Sequence, residues 1–325
     1  MNASSGGASR LSLGVLGAFA AIYFFWGTTY LGIALAIETI PPFIGGGVRF
    51  LVAGVAMYLW LRWRQPQPLA GVNVPMAVLT GVLLSGIGNG LVTWAQQGIP
   101  SGIAALIVTA VPVLVLLLDW AFFSKRAPTR QALIGTALAV AGVVTIVMHT
   151  RSLSGEAQPI YLISMLAAVV GWSLGTLVQK RVARPETALS FTCAQMMFGG
   201  LFQLLLSLID REWAHFDVAE VSWRSALALL YLIVIGSIVT FNCYLWLLTR
   251  VPAPTVTTYA LVNPVVAMFL GAVVLSERLT ALALTAAALV LFGVALVLFQ
   301  DMNWLKNLRR RNADQGTVAA GSRSR

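Results

Sequence analysis

The chain has 325 residues, 58% of them hydrophobic and only 10% charged, with a mean hydropathy of +0.85. Soluble domains carry about 25% charged residues, so a soluble enzyme, a disordered protein and a nucleic-acid module are excluded despite a net charge of +10. The apolar runs are continuous rather than alternating, which also argues against a membrane β-barrel.

A helix crosses a bilayer core with about 20 apolar residues. Residues 1–12 precede the first such run and read as a disordered N-terminus; Met1 to Ser9 are Ser, Gly, Ala and Asn with no periodicity. Apolar stretches then fall at about 13–37, 43–61, 74–96, 102–122, 131–148, 159–180, 190–209, 224–248, 254–275 and 281–299. The first is too long for the apolar region of a cleaved signal peptide, about 7–15 residues, so it is expected to be retained. Cys193 and Cys243 lie inside apolar runs and read as buried thiols; His149 and His215 are expected in loops. No disulfide framework, metal set or cofactor is expected. Residues 306–325 carry Lys306, Arg309, Arg310, Arg311, Arg323 and Arg325, and read as a disordered basic tail near anionic lipid.

Basic residues orient membrane chains. With the N-terminus inside, 16 of the 21 Lys and Arg fall on the cytoplasmic side and 4 on the other, with Arg49 inside a stretch. Both termini are therefore expected in the cytoplasm, with ten crossings between them. Trp60, Trp63, Trp120 and Trp304 then mark cytoplasmic helix ends, and Trp213 and Trp223 the outer face.

The chain also matches itself. At an offset of 146, Trp26 falls on Trp172, Arg49 on Gln195, Ala53 on Gly199 and Gly54 on Gly200. At an offset of 152, Ser85 falls on Ser237, Trp94 on Trp246, Pro100 on Pro252 and Pro112 on Pro264. The expectation is an all-α membrane protein with ten transmembrane helices in two five-helix repeats, 13–150 and 159–299. An odd number of crossings per half inverts one repeat relative to the other, the architecture of many secondary transporters.

Several elements carry a family resemblance: Trp26-Gly27-Thr28-Thr29-Tyr30; Pro41-Pro42 followed by Gly47 to Gly54 around Arg49; Asn89-Gly90; Pro100 to Ala105; Val262-Asn263-Pro264 to Ala267; and Ser276 to Thr280. In order and in duplicate, they resemble the EamA family of the drug/metabolite transporter superfamily over about residues 13–299. The resemblance implies a bundle in which helices 1–4 and 6–9 surround a central cavity while 5 and 10 lie outside. Similar proteins export amino acids, including aromatic ones, and related metabolites from bacteria.

Polar or aromatic groups at membrane depth mark the candidate substrate site. Trp26 and Trp172 are repeat partners near mid-helix, where Trp is unusual; Tyr30 lies a turn beyond Trp26. Asn89, Thr93 and Gln96 share a helical face. Asn242 and Tyr244 diverge, so at most one is expected to face the cavity. Tyr259 and Asn263 share a face with Thr255. Pro112 and Pro264 are candidate bending points. Spacings of four among Ala167, Gly171 and Gly175, and between Gly86 and Gly90, predict close helix packing. Arg49 is expected to pair with Glu38 or to reach the interface. Asp119 and Glu277 lie near helix ends, leaving no mid-span carboxylate as a proton carrier.

The resulting expectation is a monomeric, non-enzymatic carrier in the bacterial inner membrane. It would export small metabolites, foremost amino acids, by alternating access down their gradient. Proton coupling, uptake, and export of lipophilic drugs are the alternatives. Phosphate-bearing substrates are disfavoured because no central Lys or Arg is expected. Partners are the lipid bilayer and a small-molecule substrate; no nucleic acid is expected.

Overall fold

The computed structural model describes residues 6–125, 127–153, 159–182, 184–251, 253–257, 259–276 and 280–298. Arg126, Pro252, Glu277, Arg278, Trp304 and the tail lie outside the described residues, as do the side chains of His149 and Thr255.

All regular structure among the described residues is helical. The main helices are α1 (Gly6–Ala36), α2 (Pro42–Arg64), α3 (Val74–Ala95), α4 (Ser101–Phe123), α5 (Arg130–Leu153), α6 (Pro159–Val182), α7 (Ala188–Ile209), α8 (Trp223–Leu248), α9 (Tyr259–Val274) and α10 (Ala281–Leu298). Seven, α1 to α4 and α6 to α8, are long and apolar enough to cross a membrane; α9 and α10 contain shorter apolar helices. His149, expected in a loop, falls within α5, because no Gly or Pro follows Gly142 before Leu153.

Local chemistry sets the helix ends. Pro42 occupies the first position of α2, where its missing N–H costs nothing. Asn73 caps α3 by accepting from Met76 N at 3.2 Å, and Ser222 caps α8 by accepting from Ser225 N at 3.1 Å. Two helices change winding midway: Gly81–Asn89 in α3 and Leu232–Val239 in α8 form π-turns. At the end of each, a side chain reaches a carbonyl five residues back. Asn89 Nδ2 donates to Leu84 O at 3.4 Å, and Thr240 Oγ1 donates to Ile235 O. These polar groups satisfy carbonyls displaced by the wider turn. In α4 the α-helix breaks at Thr109–Ala110, just before Pro112, whereas Pro264 lies inside a continuous α9.

Packing rests on small residues. The most extensive contacts run between α2 and α7 and between α5 and α10. A side chain on Gly54 of α2 would strike Cys193 O at 3.1 Å, and one on Gly200 of α7 would strike Leu51 N at 2.6 Å. On α6, Gly171 and Gly175 admit Ile87 and Leu84 of α3, at 2.7 and 2.6 Å from where a Cβ would stand. The other large contacts join α1 to α9 and α8, α3 to α6 and α7, α2 to α8, and α4 to α6 and α9. Bulky apolar side chains such as Leu205, Ile209, Phe269, Val273 and Phe292 are exposed on the outside. That surface suits lipid better than water.

Candidate functional site

An aromatic cluster joins α1, α6, α8 and α9 at the centre of the bundle. Trp26 meets Trp172 edge-to-face at a centroid distance of 5.6 Å, Tyr259 at 4.8 Å and Phe241 at 5.5 Å, and Tyr244 in a tilted contact at 5.1 Å. Edge-to-face geometry aligns ring edges with π faces and adds to area burial. Trp26 Nε1 donates to Gly236 O at 3.3 Å, where the π-turn of α8 presents a carbonyl. The Trp172 indole N–H is buried without a hydrogen bond of full geometry to a described residue.

Above this cluster, toward the α1–α2 connection, lies a narrow cavity of about 50 Å³. Its aromatic and amide lining is Trp26, Tyr30, Asn89, Trp172, Tyr259 and Asn263, and Thr29, Ile33, Arg49, Gly88, Val92 and Val108 complete it. Asn263, with its amide oriented to satisfy its neighbours, donates to Tyr23 O at 2.9 Å and Tyr259 O at 3.2 Å. A second space, sharing Ile33 and Arg49, extends to Ile40, Pro42 and Gly45.

Six of the expected site residues thus border one cavity: Trp26, Tyr30, Asn89, Trp172, Tyr259 and Asn263. Thr93 borders the second space, and its hydroxyl donates to Asn89 O at 2.9 Å. The structure places three others outside the lining. Gln96 lies just past Ala95, where the α3 helix has ended, with both amide atoms buried and unbonded among the described residues. Asn242 donates at 2.5 Å to Ile238 O of its own helix. The Tyr244 ring stands behind Trp26, its hydroxyl bonded to Thr176 Oγ1 at 2.7 Å.

Arg49 corrects two expectations. It neither pairs with Glu38 nor reaches the interface: it is 3% exposed. Its Nε donates to Ser237 Oγ at 2.8 Å, and its guanidinium lies 4.7 Å from the Phe50 ring centroid. Glu38 instead meets Arg224 at 3.8 Å in a half-exposed pair. A central cation therefore does border the cavity. The available sequence signal was the match of Arg49 to the polar Gln195, another buried residue.

Glu212 was also missed. It is buried in the loop after α7 and accepts from Phe43 N at 2.9 Å and Ile44 N at 2.7 Å, capping α2 from the other half of the chain. Burial pushes its carboxyl above the ordinary value and Asp210 adds to this, while the two backbone hydrogen bonds oppose it.

A model of the EamA-like transporter family matches the chain twice, over residues 12–148 and 159–299. The chain belongs to the EamA-like transporter family. It is accordingly a multi-pass membrane transporter built from two copies of the EamA unit. Among its relatives, the "Uncharacterized inner membrane transporter YedA" of Escherichia coli K12 is 35% identical, over 89% of this chain and 92% of that protein. A "Probable amino-acid metabolite efflux pump" of Salmonella typhimurium is 27% identical, over 84% of this chain and 91% of the relative. A solved crystal structure shares the fold with a TM-score of 0.63 at 19% identity, covering 87% of this chain and 96% of the other.

Proposed function

We propose that this EamA transporter exports small metabolites, foremost amino acids, across the bacterial inner membrane by alternating access. The observation that carries the reading is the central cavity, where Trp26, Trp172 and Tyr259 stand beside the amides of Asn89 and Asn263. Aromatic faces suit an apolar side chain, and amides suit the polar backbone end of an amino acid. The relatives named as an inner membrane transporter and an amino-acid metabolite efflux pump support the location and the substrate class.

The packing supports two inverted five-helix halves. Exchanging each helix for its counterpart five places on maps the α1–α9 contact onto α4–α6, α1–α8 onto α3–α6, and α2–α8 onto α3–α7. The α2–α7 and α5–α10 contacts map onto themselves, as a two-fold relation between the halves requires, and an odd number of crossings per half would make that relation an inverted one. Ten crossings with both termini in the cytoplasm complete this reading. The aromatic cluster would then close the cytoplasmic side of the site while the second space leads outward. No Asp or Glu is among the residues bordering the cavity, which supports uncoupled transport.

The test is competition in proteoliposomes. Uptake of labelled phenylalanine should be blocked by other amino acids and spared by lipophilic cations and nucleotide sugars. Competition by lipophilic cations alone would replace the amino-acid reading with drug export.

A further inference from the structure

Arg49 is a buried cation in a membrane-embedded bundle, and no carboxylate pairs with it among the described residues. A charged Arg within a membrane-spanning helix is costly to bury, so such residues mark function or a partner. Its protein contacts use little of its capacity. Nε donates to Ser237, the plane faces Phe50, and neither Nη nitrogen makes a hydrogen bond to a described residue. The side chain borders both the central cavity and the space beyond it. The phenols that share this lining, Tyr30 and Tyr259, are neutral at working pH. The cavity thus presents one fixed positive charge, and its outermost donors are uncommitted.

We propose that Arg49 anchors the carboxylate of the transported molecule, with Ser237 holding the guanidinium in place through Nε. This rests on the transport reading and names its substrate class: monocarboxylates with an apolar or aromatic body. A guanidinium fork and a carboxylate match geometrically, and the ion pair removes the uncompensated charge from the bundle. One cation suits a monoanion better than a phosphate dianion. The amine of an amino acid would find acceptors in the amide oxygens of Asn89 and Asn263. Their nitrogens are already committed, to Leu84 O and to the carbonyls of Tyr23 and Tyr259. Trp26 and Trp172 form the adjoining wall for the apolar body.

Binding to the purified full chain in detergent tests this with four probes: L-phenylalanine, L-phenylalaninamide, phenylpyruvate and phenyl phosphate. The two carboxylates should bind at least about ten-fold more tightly than the amide, and phenyl phosphate more weakly than phenylpyruvate. Arg49→Gln should abolish the preference for acid over amide, and Arg49→Lys should restore part of it. Equal wild-type affinities for acid and amide would overturn the anchor while leaving amino-acid transport standing. Tightest binding of phenyl phosphate would overturn the carboxylate assignment. Binding of none of the four would overturn the transport reading together with the anchor. The wild-type series stands alone if the Gln variant fails to fold.

Discussion

Arg49 and Ser237 tie two helices that belong to different copies of the EamA unit: Nε on α2 donates to Oγ on α8 at 2.8 Å. Ser85, which aligns with Ser237 in the other copy, has a buried Oγ with no partner among the described residues. Matching serines therefore carry different weights. Hydrogen bonds to charged groups contribute about 1.5–3 kcal/mol, and losing one here also strands donors of a buried cation. Ser237→Ala should lower the thermal midpoint in detergent, whereas Ser85→Ala should leave it nearly unchanged. Equal shifts in the two variants would show that the tether carries no special load.

Trp26 and Trp172 differ in how the fold holds them. Trp26 is 6% exposed and packs on four other rings, so its truncation opens a core cavity, at about 3–5 kcal/mol for Trp→Ala. Trp172 is only partly buried and faces the cavity beside Asn89. Trp172→Ala should cut amino-acid transport at least about ten-fold while the protein stays inserted and monodisperse. Trp26→Phe, which keeps a ring but loses the bond to Gly236 O, should reduce transport with a smaller loss of stability. Undiminished transport in both would reassign the pair to packing.

Gly200 has no room for a side chain, because the Cβ of Ala would stand 2.6 Å from Leu51 N. Backbone must move to admit it, and overpacking of this kind costs about 1–3 kcal/mol. Gly200→Ala should lower the thermal midpoint. Gly17→Ala is the control, since nothing lies within 4 Å of its Cβ position. A destabilising control with a neutral Gly200→Ala would contradict the crossing described.

Glu212 predicts a pH dependence of stability. Its carboxyl is raised above the ordinary 4.5. The native state therefore holds the proton to a higher pH than the unfolded chain does, and binds more protons in that window. The contribution is present in full below 4.5 and is lost as pH rises through the raised value. The difference in thermal midpoint between wild type and Glu212→Gln should fall as pH rises from 4.5. A flat difference, or one that grows with pH, would show that the amide bonds from Phe43 and Ile44 outweigh burial.

Much of this was legible in the residues. Continuous apolar runs specify helices and a membrane, and the recurrence of Trp26 at Trp172 pointed to a duplicated bundle with aromatic residues at its centre. The helical spacing of Tyr259 and Asn263 placed both on the cavity. Arg49 was misjudged because its position early in an apolar stretch says nothing of which neighbour covers it; Ser237 lies 188 positions away. Glu212 was missed for the same reason, since an acid in a polar loop looks solvated until α2 presents its free N–H groups. Gln96 failed because a helical face was extended one residue beyond the helix.

Counterflow of labelled phenylalanine into proteoliposomes preloaded with unlabelled phenylalanine tests the central claim most directly. A carrier that alternates access to one site predicts uptake accelerated by the internal amino acid and persisting when the pH gradient is collapsed. Uptake indifferent to the internal amino acid would contradict the carrier reading, and uptake abolished with the pH gradient would contradict uncoupled transport.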